Sequence, residues 1–306
     1  MYRVVFMGTP DFAVPSLLAL LEIADVVGVV TQPDRPAGRG RSLRPSPVKV
    51  AAEAAGVAVY QPASLRREEA AEPLRAWQPD VIVVAAFGQI LRPHVLSLPP
   101  HGCVNVHASL LPRWRGASPI QHAILAGDAE SGVSLMQMER GLDTGPVFVQ
   151  EAIPLLPTET ATTLHDKLAA LGADMMRRHL VDIVNGRLSP TPQDGALSTY
   201  APMIVKENGR LDWHDSSQQL DRQLRAMNPW PGAFTSWQGE LFKVVAAVPV
   251  IGEEETAVPG QVLAGGIVQT GSGQIALQQV QPAGKRVMNI DDFLRGNPHF
   301  VGEILG

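Results

Sequence analysis

The first 186 residues alternate short apolar runs with segments that repeat leucine at helical spacing. The apolar runs have the length of single buried strands, and the clearest are residues 2–8, 26–31 and 80–86. Strands of this kind separated by helices are typical of a parallel sheet that is covered on both faces. The pattern predicts an α/β, Rossmann-like N-terminal domain with a mostly parallel sheet. No G-x-G-x-x-G spacing follows the first run, so we predict no dinucleotide site.

The pattern changes after residue 206. One segment, residues 216–227, has helical spacing, and short alternating segments separated by glycines follow it. These alternating segments are residues 233–237, 241–246, 260–263, 267–270 and 275–280. They predict a small C-terminal OB-like β-barrel. Residues 187–206 are rich in proline, glycine and polar residues and are predicted as a linker, which places the two domains at 1–186 and 207–306.

Composition narrows the class of protein. The 306 residues are 45% hydrophobic, which is enough to bury a full core. No run of about 18 apolar residues is present to span a bilayer, and the N-terminus leads into a strand instead of a signal peptide. We therefore expect a cytoplasmic protein. The net charge of −5 means that any binding of nucleic acid has to rely on local basic clusters.

Two polar residues share one face of a predicted strand at residues 104–107. Asn105 and His107 are two apart, so their side chains point the same way. An amide can donate a hydrogen bond to a developing oxyanion, and an imidazole can do the same when protonated or accept a proton when neutral. The pair suits an acyl carbon that becomes tetrahedral. Both can equally be ordinary polar residues at a strand end.

Asp143 lies in a turn-rich loop, residues 139–146, that leaves a predicted strand at 134–138. Gly141 and Gly145 lie on either side of it and allow close approach of the backbone. A carboxylate at this place can orient His107 and favour its cationic form, or take a proton through water. The alternative is a turn aspartate that bonds its own backbone.

The loop at residues 34–49 is basic in an acidic chain. It holds one acid and several glycines and prolines, which disfavour regular structure. Its five basic residues are Arg35, Arg39, Arg41, Arg44 and Lys49. Such a loop can bind phosphates, most simply those of RNA, through charge and shape. It can also be a solvated surface loop.

Asn105, His107, Asp143 and the run from Ser109 to Ile120 together resemble the 10-formyltetrahydrofolate-dependent formyltransferases. The resemblance extends essentially from Arg3 to the C-terminus. It implies that Asn105, His107 and Asp143 are catalytic, that 10-formyltetrahydrofolate is the co-substrate and that no metal takes part. It also implies two folate-contacting segments. Their residues are Phe87, Gly88, Gln89 and Ile90 in the first and Ser109, Leu110, Leu111 and Pro112 in the second.

The basic loop and the second domain bear on the acceptor. Together with them, the resemblance implies that the acceptor is the α-amine of methionine on initiator methionyl-tRNA, and that the product serves translation initiation. It implies a catalytic domain at 1–186 and a tRNA-binding β-barrel at 207–306, in a protein we expect to be a monomer without membrane attachment. The residues implied to contact the tRNA are Arg35, Arg39, Arg41 and Arg44.

The charge of the second domain departs from this expectation. Residues 206–306 carry eight Lys and Arg against eleven Asp and Glu, whereas a tRNA-binding barrel is more comfortably basic. Either its basic residues cluster on one face, or the basic loop supplies most of the phosphate contacts.

Two other functions stay open on the sequence alone. A formyltransferase acting on a small amine, such as glycinamide ribonucleotide or an amino-sugar nucleotide, shares the chemistry but leaves the basic loop and the barrel without a use. A non-catalytic RNA-binding protein explains the loop but makes the coincidence of Asn105, His107 and Asp143 accidental. Direct transfer to an amine needs no covalent enzyme intermediate, so we interpret the single cysteine, Cys103, as a small buried residue and not as a nucleophile.

Overall fold

The computed structural model describes residues 1–37, 42–250 and 257–306. By their contacts, the residues group into two compact units that are described separately below. Unit 1 comprises residues 1–119, 130–154 and 165–201, and unit 2 comprises residues 120–129, 155–164 and 202–306.

Up to residue 201 the chain alternates strands with helices, as the apolar pattern predicted. The strands are β1 (Arg3–Gly8), β2 (Asp25–Val30), β3 (Arg35–Ala37), β4 (Ser42–Arg44), β5 (Val59–Tyr60), β6 (Val81–Ala85), β7 (Cys103–His107), β8 (Arg115–Gly116), β9 (Glu130–Gln137), β10 (Val147–Pro154) and β11 (Tyr200–Ala201). The helices are α1 (Val14–Ile23), α2 (Pro47–Ala54), α3 (Glu72–Ala76), α4 (Pro93–Leu96), α5 (Pro119–Ala126) and α6 (Ala161–Val184).

The main sheet of unit 1 has the strand order β10-β9-β7-β6-β1-β2-β5. The strands from β7 to β5 are parallel to one another, while β9 pairs antiparallel with β7 and β10 pairs antiparallel with β9. The central strands β1 and β6 are buried almost without interruption because both of their faces are covered. The predicted Rossmann-like, mostly parallel sheet is confirmed.

Strand β7 lies between β6 and β9, and all five of its residues are buried. The alternation of apolar and polar residues predicted a strand with only one face on the core. The polar face is buried as well, because β7 is an inner strand of the sheet. At the start of β7, Cys103 packs with Leu74 and Val95 in an apolar cluster. Toward the carboxyl end the strand carries Asn105 and His107, at the edge where open α/β sheets bind ligands.

The described parts of the basic loop, residues 34–37 and 42–49, are more regular than the glycines and prolines of the loop predicted. Strands β3 and β4 form an antiparallel hairpin in which Arg35 lies opposite Arg44. The ammonium of Lys49, in α2, lies 2.8 Å from the Asp34 carboxylate, next to the start of the hairpin. Two of the predicted tRNA contacts, Arg39 and Arg41, fall outside the described residues.

Unit 2 contains a curled antiparallel sheet with the order β12-β13-β15-β14, with β16 paired to β15. Its elements are α7 (Ser217–Ala226), β12 (Ala233–Trp237), β13 (Glu240–Val250), β14 (Ile267–Gln269), β15 (Gln274–Pro282), β16 (Met288–Asn289) and α8 (Ile290–Gly296). The long strand β13 pairs with β15 through two register shifts, and irregularities of this kind bend a strand. The predicted barrel-like domain is confirmed in the form of a curled half-barrel.

The core of unit 2 contains an aromatic cluster, and part of it lies outside the predicted strands. Phe293, in α8, lies with its ring centroid 5.0 Å from that of Phe300 and 5.3 Å from that of Phe242. Residues 260–263, predicted as a strand, form only isolated bridges, from Gln261 to Ile304 and from Val262 to Val268. Residues 260–263 are therefore less regular than their alternation predicted.

Candidate active site

Strand β7 presents Asn105 and His107 on one face near its carboxyl end. Their side chains are 8% and 6% exposed, so both polar groups are largely removed from water. Among the described residues, the Asn105 side chain has no hydrogen-bond partner. The atoms of this amide are not among the fully buried polar atoms that lack a partner, so part of the amide stays accessible. It is a group that can donate a hydrogen bond at this face of the strand.

The ring of His107 is anchored at one nitrogen. Its Nε2 lies 3.0 Å from the backbone carbonyl of Trp114. A carbonyl oxygen only accepts, so Nε2 carries a proton. Trp114 adopts a φ of 60°, which is unusual for a bulky residue, and its N–H donates to Oγ1 of Thr199 at 2.8 Å. Thr199, which lies 85 residues after Trp114, thus holds the residue whose carbonyl accepts from His107.

Asp143 approaches the other nitrogen of the same ring. Its Oδ2 lies 3.8 Å from His107 Nδ1, which is an ion-pair distance but too long for a hydrogen bond. The same Oδ2 accepts a hydrogen bond of 2.9 Å from the backbone N–H of Gly116. Nδ1 therefore faces a carboxylate, while Nε2–H bonds the carbonyl of Trp114.

The Asp143 loop packs tightly against the sheet. Asp143 has a φ of 51°, and a Cβ at Gly145 would lie 1.8 Å from the carbonyl oxygen of Gln137. Only glycine fits at 145 without displacing the end of β9. The close approach of the backbone that the glycines predicted is thus present, and it occurs two residues after the carboxylate.

Gln193 connects the two segments that flank His107. Its Nε2 donates to the carbonyls of Asp143 and Gly145 at 2.9 and 2.7 Å. Its Oε1 accepts from Nε and one terminal nitrogen of Arg115 at 3.0 and 2.8 Å. The sequence pattern did not single out Gln193, because it lies in the loop-rich stretch predicted as a linker. The guanidinium of Arg115 is thereby held by Gln193.

The backbone of the segment from Ser109 to Pro112 is held by two polar side chains that the sequence pattern did not single out. Ser134 donates to the carbonyl of Ser109 at 2.6 Å and accepts from the N–H of Leu111. Gln150 donates to the carbonyl of Leu111 at 2.7 Å. Leu111 is 4% exposed. Its side chain is unavailable to a ligand, and this segment offers mainly backbone.

The side chain of Leu110 packs close to Gly132, while Pro112 is half-buried. Leu110 is half-buried as well, so Leu110, Pro112 and the backbone are the parts of this segment that remain partly open. The Ser109 hydroxyl donates to the carbonyl of Arg113 at 2.6 Å and serves the turn itself.

The other predicted folate segment follows β6. Phe87 is a core residue, and its carbonyl accepts from Thr9 and Gln32. Gln89 uses both ends of its amide on the neighbouring loop, accepting from Leu65 N–H and donating to the Pro62 carbonyl. These two side chains hold the segment in place.

Gly88 and Ile90, in contrast, are exposed, Ile90 by 72%. Because β6 and β7 are parallel neighbours, this segment and His107 lie at the same edge of the sheet. Gly88 and Ile90 are therefore the members of this group that a ligand at the edge can reach.

The hairpin arginines form a like-charged pair. Arg35 and Arg44 lie directly opposite each other in the hairpin and both are exposed. Like charges across a strand pair repel each other, so the two arginines do not stabilise the pairing of β3 with β4. The one acid of the loop, Asp34, is bonded to Lys49 and Gln61, which lower the pKa of its carboxyl group. It therefore neutralises Lys49 and leaves the arginines free of it.

Cys103 lies on the same face of β7 but has a different environment. It is 1% exposed, and burial raises the pKa of its thiol to about 12. A thiol in this state is a weak nucleophile. The structure thus places Cys103 as a buried residue of the core.

Within residues 1–37, 42–250 and 257–306, no helix is long and apolar enough to cross a membrane. Over the same ranges, no group of three or more His, Cys, Asp and Glu side chains is arranged to hold a metal ion.

Comparison with protein families defines the class. Residues 2–180 match the model described as formyl transferase, and residues 203–298 match the model of the formyl transferase C-terminal domain. The two matches cover most of the chain. The class of protein is that of the formyl transferases.

Individual relatives narrow the class. A methionyl-tRNA formyltransferase from Gluconobacter oxydans is 50% identical over 97% of this chain and 97% of its own length. One from Myxococcus xanthus is 52% identical over 96% of this chain and 95% of its own length. The chain belongs to the methionyl-tRNA formyltransferase family.

A solved structure shares the fold at lower identity. The N-formyltransferase from Helicobacter canadensis, in complex with folinic acid and dTDP-3-aminofucose, superposes with a TM-score of 0.69. It is 21% identical and covers 90% of this chain and 99% of its own length. The likeness extends the agreement in fold to a more distant formyltransferase.

Proposed function

We propose that this protein transfers the formyl group of 10-formyltetrahydrofolate to the α-amine of methionine on initiator methionyl-tRNA, for translation initiation. The observation that carries the chemistry is the buried, unpartnered amide of Asn105 beside a histidine whose ring lies between a carbonyl and a carboxylate. The acceptor is supported by relatives named methionyl-tRNA formyltransferase at about half identity over nearly the full length.

The reaction exchanges one C–N bond for another. The α-amine attacks the formyl carbon, and the new C–N bond forms as the carbonyl oxygen becomes an oxyanion. The bond from carbon to N10 of the folate then breaks, N10 takes a proton and tetrahydrofolate leaves. The amine nitrogen loses a proton in the same sequence, so the site needs oxyanion donors and a proton acceptor.

Asn105 and His107 supply the donors in this mechanism. His107 uses Nε2–H on the Trp114 carbonyl, and Nδ1 makes no hydrogen bond within the described residues. Nδ1–H is therefore the donor that is available to the oxyanion, beside the amide of Asn105. Removing one preorganised donor of this kind typically costs about 2.7–4 kcal/mol of transition-state stabilisation.

Asp143 has two tasks in this proposal. At 3.8 Å from Nδ1 it balances the charge of the imidazolium, and it accepts the amine proton through a water molecule. The hydrogen bond from the Gly116 N–H keeps the carboxylate in place without neutralising it.

The folate is proposed to lie at the carboxyl ends of β6 and β7. The exposed Gly88 and Ile90 and the half-buried Leu110 and Pro112 are accessible parts of the two folate segments. Apolar surface with a few polar backbone groups is typical of sites for flat heterocycles. The fixed side chains of Gln89, Ser134 and Gln150 keep this backbone in position.

The tRNA is proposed to contact the exposed, like-charged pair Arg35 and Arg44, together with Arg39 and Arg41. Phosphates on the acceptor would offset the repulsion between the paired guanidinium groups. In this proposal residues 1–186 catalyse, residues 207–306 bind tRNA, and the protein acts as a cytoplasmic monomer.

A comparison of acceptors tests the proposal. Purified protein and 10-formyltetrahydrofolate are incubated in parallel with initiator methionyl-tRNA, with uncharged tRNA plus free methionine, and with small amines. Formylation of the aminoacylated tRNA alone is expected. Transfer to a small amine would keep the chemistry and overturn the acceptor, and absence of transfer to any acceptor would overturn the catalytic function.

A further inference from the structure

Gln193 makes hydrogen bonds to both of the segments that flank the His107 ring. One segment contains Trp114, whose carbonyl accepts from Nε2, and Gly116, whose N–H donates to Asp143. The other is the loop of Asp143 itself. Gln193 bonds the first through the Arg115 side chain and the second through the carbonyls of Asp143 and Gly145.

Both the nitrogen and the oxygen of the Gln193 amide are engaged in hydrogen bonds. Both of its nitrogen contacts go to the Asp143 loop, at 2.9 and 2.7 Å, and both of its oxygen contacts go to Arg115, at 3.0 and 2.8 Å. Carbonyls accept and guanidinium groups donate, so only the orientation with the nitrogen toward the loop is possible. The side chain therefore fixes the distance between the two segments from one point.

Asp143 depends on such an external anchor. Its φ of 51° is in the region that non-glycine residues rarely adopt, and the backbone holds that conformation only when its surroundings determine it. Its carboxylate has to remain 3.8 Å from Nδ1 without closing to a direct bond. A small displacement of the loop would change that distance.

We propose that Gln193 is a positioning residue, which sets the place of the Asp143 carboxylate relative to His107. The inference deepens the proposed function and rests on it. A misplacement of a reacting group by about 1 Å can cost 10²-fold in rate. The Gln193→Ala variant is therefore expected to lower kcat about 10- to 100-fold, with KM for folate and tRNA within twofold of wild type.

The glutamate variant tests the contact with the Asp143 loop separately from the contact with Arg115. Gln193→Glu keeps an acceptor for Arg115 but removes both donors to the Asp143 loop. It is expected to lose as much kcat as Gln193→Ala. It also serves where the alanine variant does not fold, because the Arg115 contact is retained. Asp194→Ala is the matched control, since the side chain of that exposed neighbour accepts from Ala196 N–H within its own turn.

A double-mutant cycle with Asp143 separates positioning from a structural role. In the Asp143→Asn background, Gln193→Ala is expected to lower kcat by less than about threefold, because the group it positions no longer acts. The same proportional loss in both backgrounds would overturn the inference. So would a Gln193 variant that unfolds at lower temperature while its kcat per folded molecule is unchanged.

The outcomes distinguish this inference from the proposed function. Wild-type protein without formyl transfer would overturn the function, and full activity of Asp143→Asn would overturn the role of Asp143. In either case the ¹⁵N chemical shifts of the His107 ring at fixed pH still report its surroundings. Shifts that change in Gln193→Ala but not in Asp194→Ala support the positioning, and shifts equal in both variants and wild type overturn it.

Discussion

Oδ2 of Asp143 lies 3.8 Å from Nδ1 of His107 and at the same time accepts a hydrogen bond of 2.9 Å from the backbone N–H of Gly116. Trp114 lies two residues before Gly116, and its carbonyl accepts the hydrogen bond that His107 donates from Nε2. The imidazole therefore lies between a neutral acceptor and a negative charge. The proposed mechanism uses this placement, with the carboxylate beside the ring nitrogen that serves as a donor.

Replacing Asp143 by asparagine tests the charge with little change in shape. The amide oxygen can still accept from Gly116 N–H, but the negative charge and the proton acceptor are lost. General base catalysis contributes typically 10²–10⁴-fold, so kcat is expected to fall by about that range while the folate KM changes little. Steady-state kinetics measure both constants, with Asp182→Asn on the surface as the control. Wild-type kcat in Asp143→Asn would remove Asp143 from the mechanism.

The arginine pair of the hairpin is expected to affect tRNA and not folate. Arg35→Ala combined with Arg44→Ala should raise the KM for methionyl-tRNA and reduce the salt dependence of binding by about one unit of slope per lost phosphate contact. The folate KM should remain the same. Stability should not decrease, because the two guanidinium groups lie opposite each other and repel.

Arg187→Ala provides the control for this pair, since Arg187 is exposed and paired with Asp182. Equal effects of the control and of the double variant on tRNA binding would mean that general charge, and not the hairpin, attracts the tRNA.

The ion pair next to the start of the hairpin has a defined pH dependence. Lys49 lowers the pKa of Asp34 from its ordinary 3.8, and Asp34 raises the pKa of Lys49 from 10.5. A depressed carboxyl contributes stability above its unfolded pKa and loses it as pH falls through the folded pKa. A raised ammonium contributes below its unfolded pKa and loses it as pH rises through the folded pKa.

Urea unfolding of wild type and Asp34→Asn measures this contribution. The difference in unfolding free energy should be constant between about pH 5 and 9 and decrease as the solution becomes more acidic. A difference that stays the same down to pH 2 would show that the Asp34 charge does not contribute.

Cys103 is expected to be chemically inert in the folded protein. Its thiol is 1% exposed and has a pKa of about 12, so little thiolate is present at pH 8. Iodoacetamide at that pH should label the denatured chain but not the native one, and mass spectrometry counts the adducts. Cys103→Ala should retain most of the activity. Loss of turnover in a folded Cys103→Ala protein would bring back a covalent mechanism.

The sequence predicted the fold well where local pattern and burial agree. The apolar runs of β1 and β6 are strands of the main sheet, and helix α7 begins after Ser216, whose side chain caps it together with Gln219. In these segments the hydrophobic spacing is set by the same sheet and helix geometry that the structure adopts. The unpredicted helix α8 follows a two-residue strand, and seven residues carry too short a period to be identified.

Only part of the candidate site could be predicted from the sequence. Asn105 and His107 are two residues apart, so their shared face follows from strand geometry. Ser134, Gln150 and Gln193 contact the site from 25 to 78 residues away, and nothing in their local pattern marks them. Contacts at such separations are set by tertiary packing. A glutamine in a loop-rich stretch without periodicity carries no signal of the carbonyls that it will bind.

The most direct test of the proposed chemistry is a single-turnover measurement on Asn105. Asn105→Ala removes a buried donor that has no other partner among the described residues, so it should leave the surrounding structure bonded as before. With saturating 10-formyltetrahydrofolate and methionyl-tRNA, the rate of formyl transfer is expected to fall about 10²–10³-fold, while folate affinity measured by calorimetry changes less than about threefold. Equal losses in rate and affinity would make Asn105 a binding residue and contradict its role as an oxyanion donor.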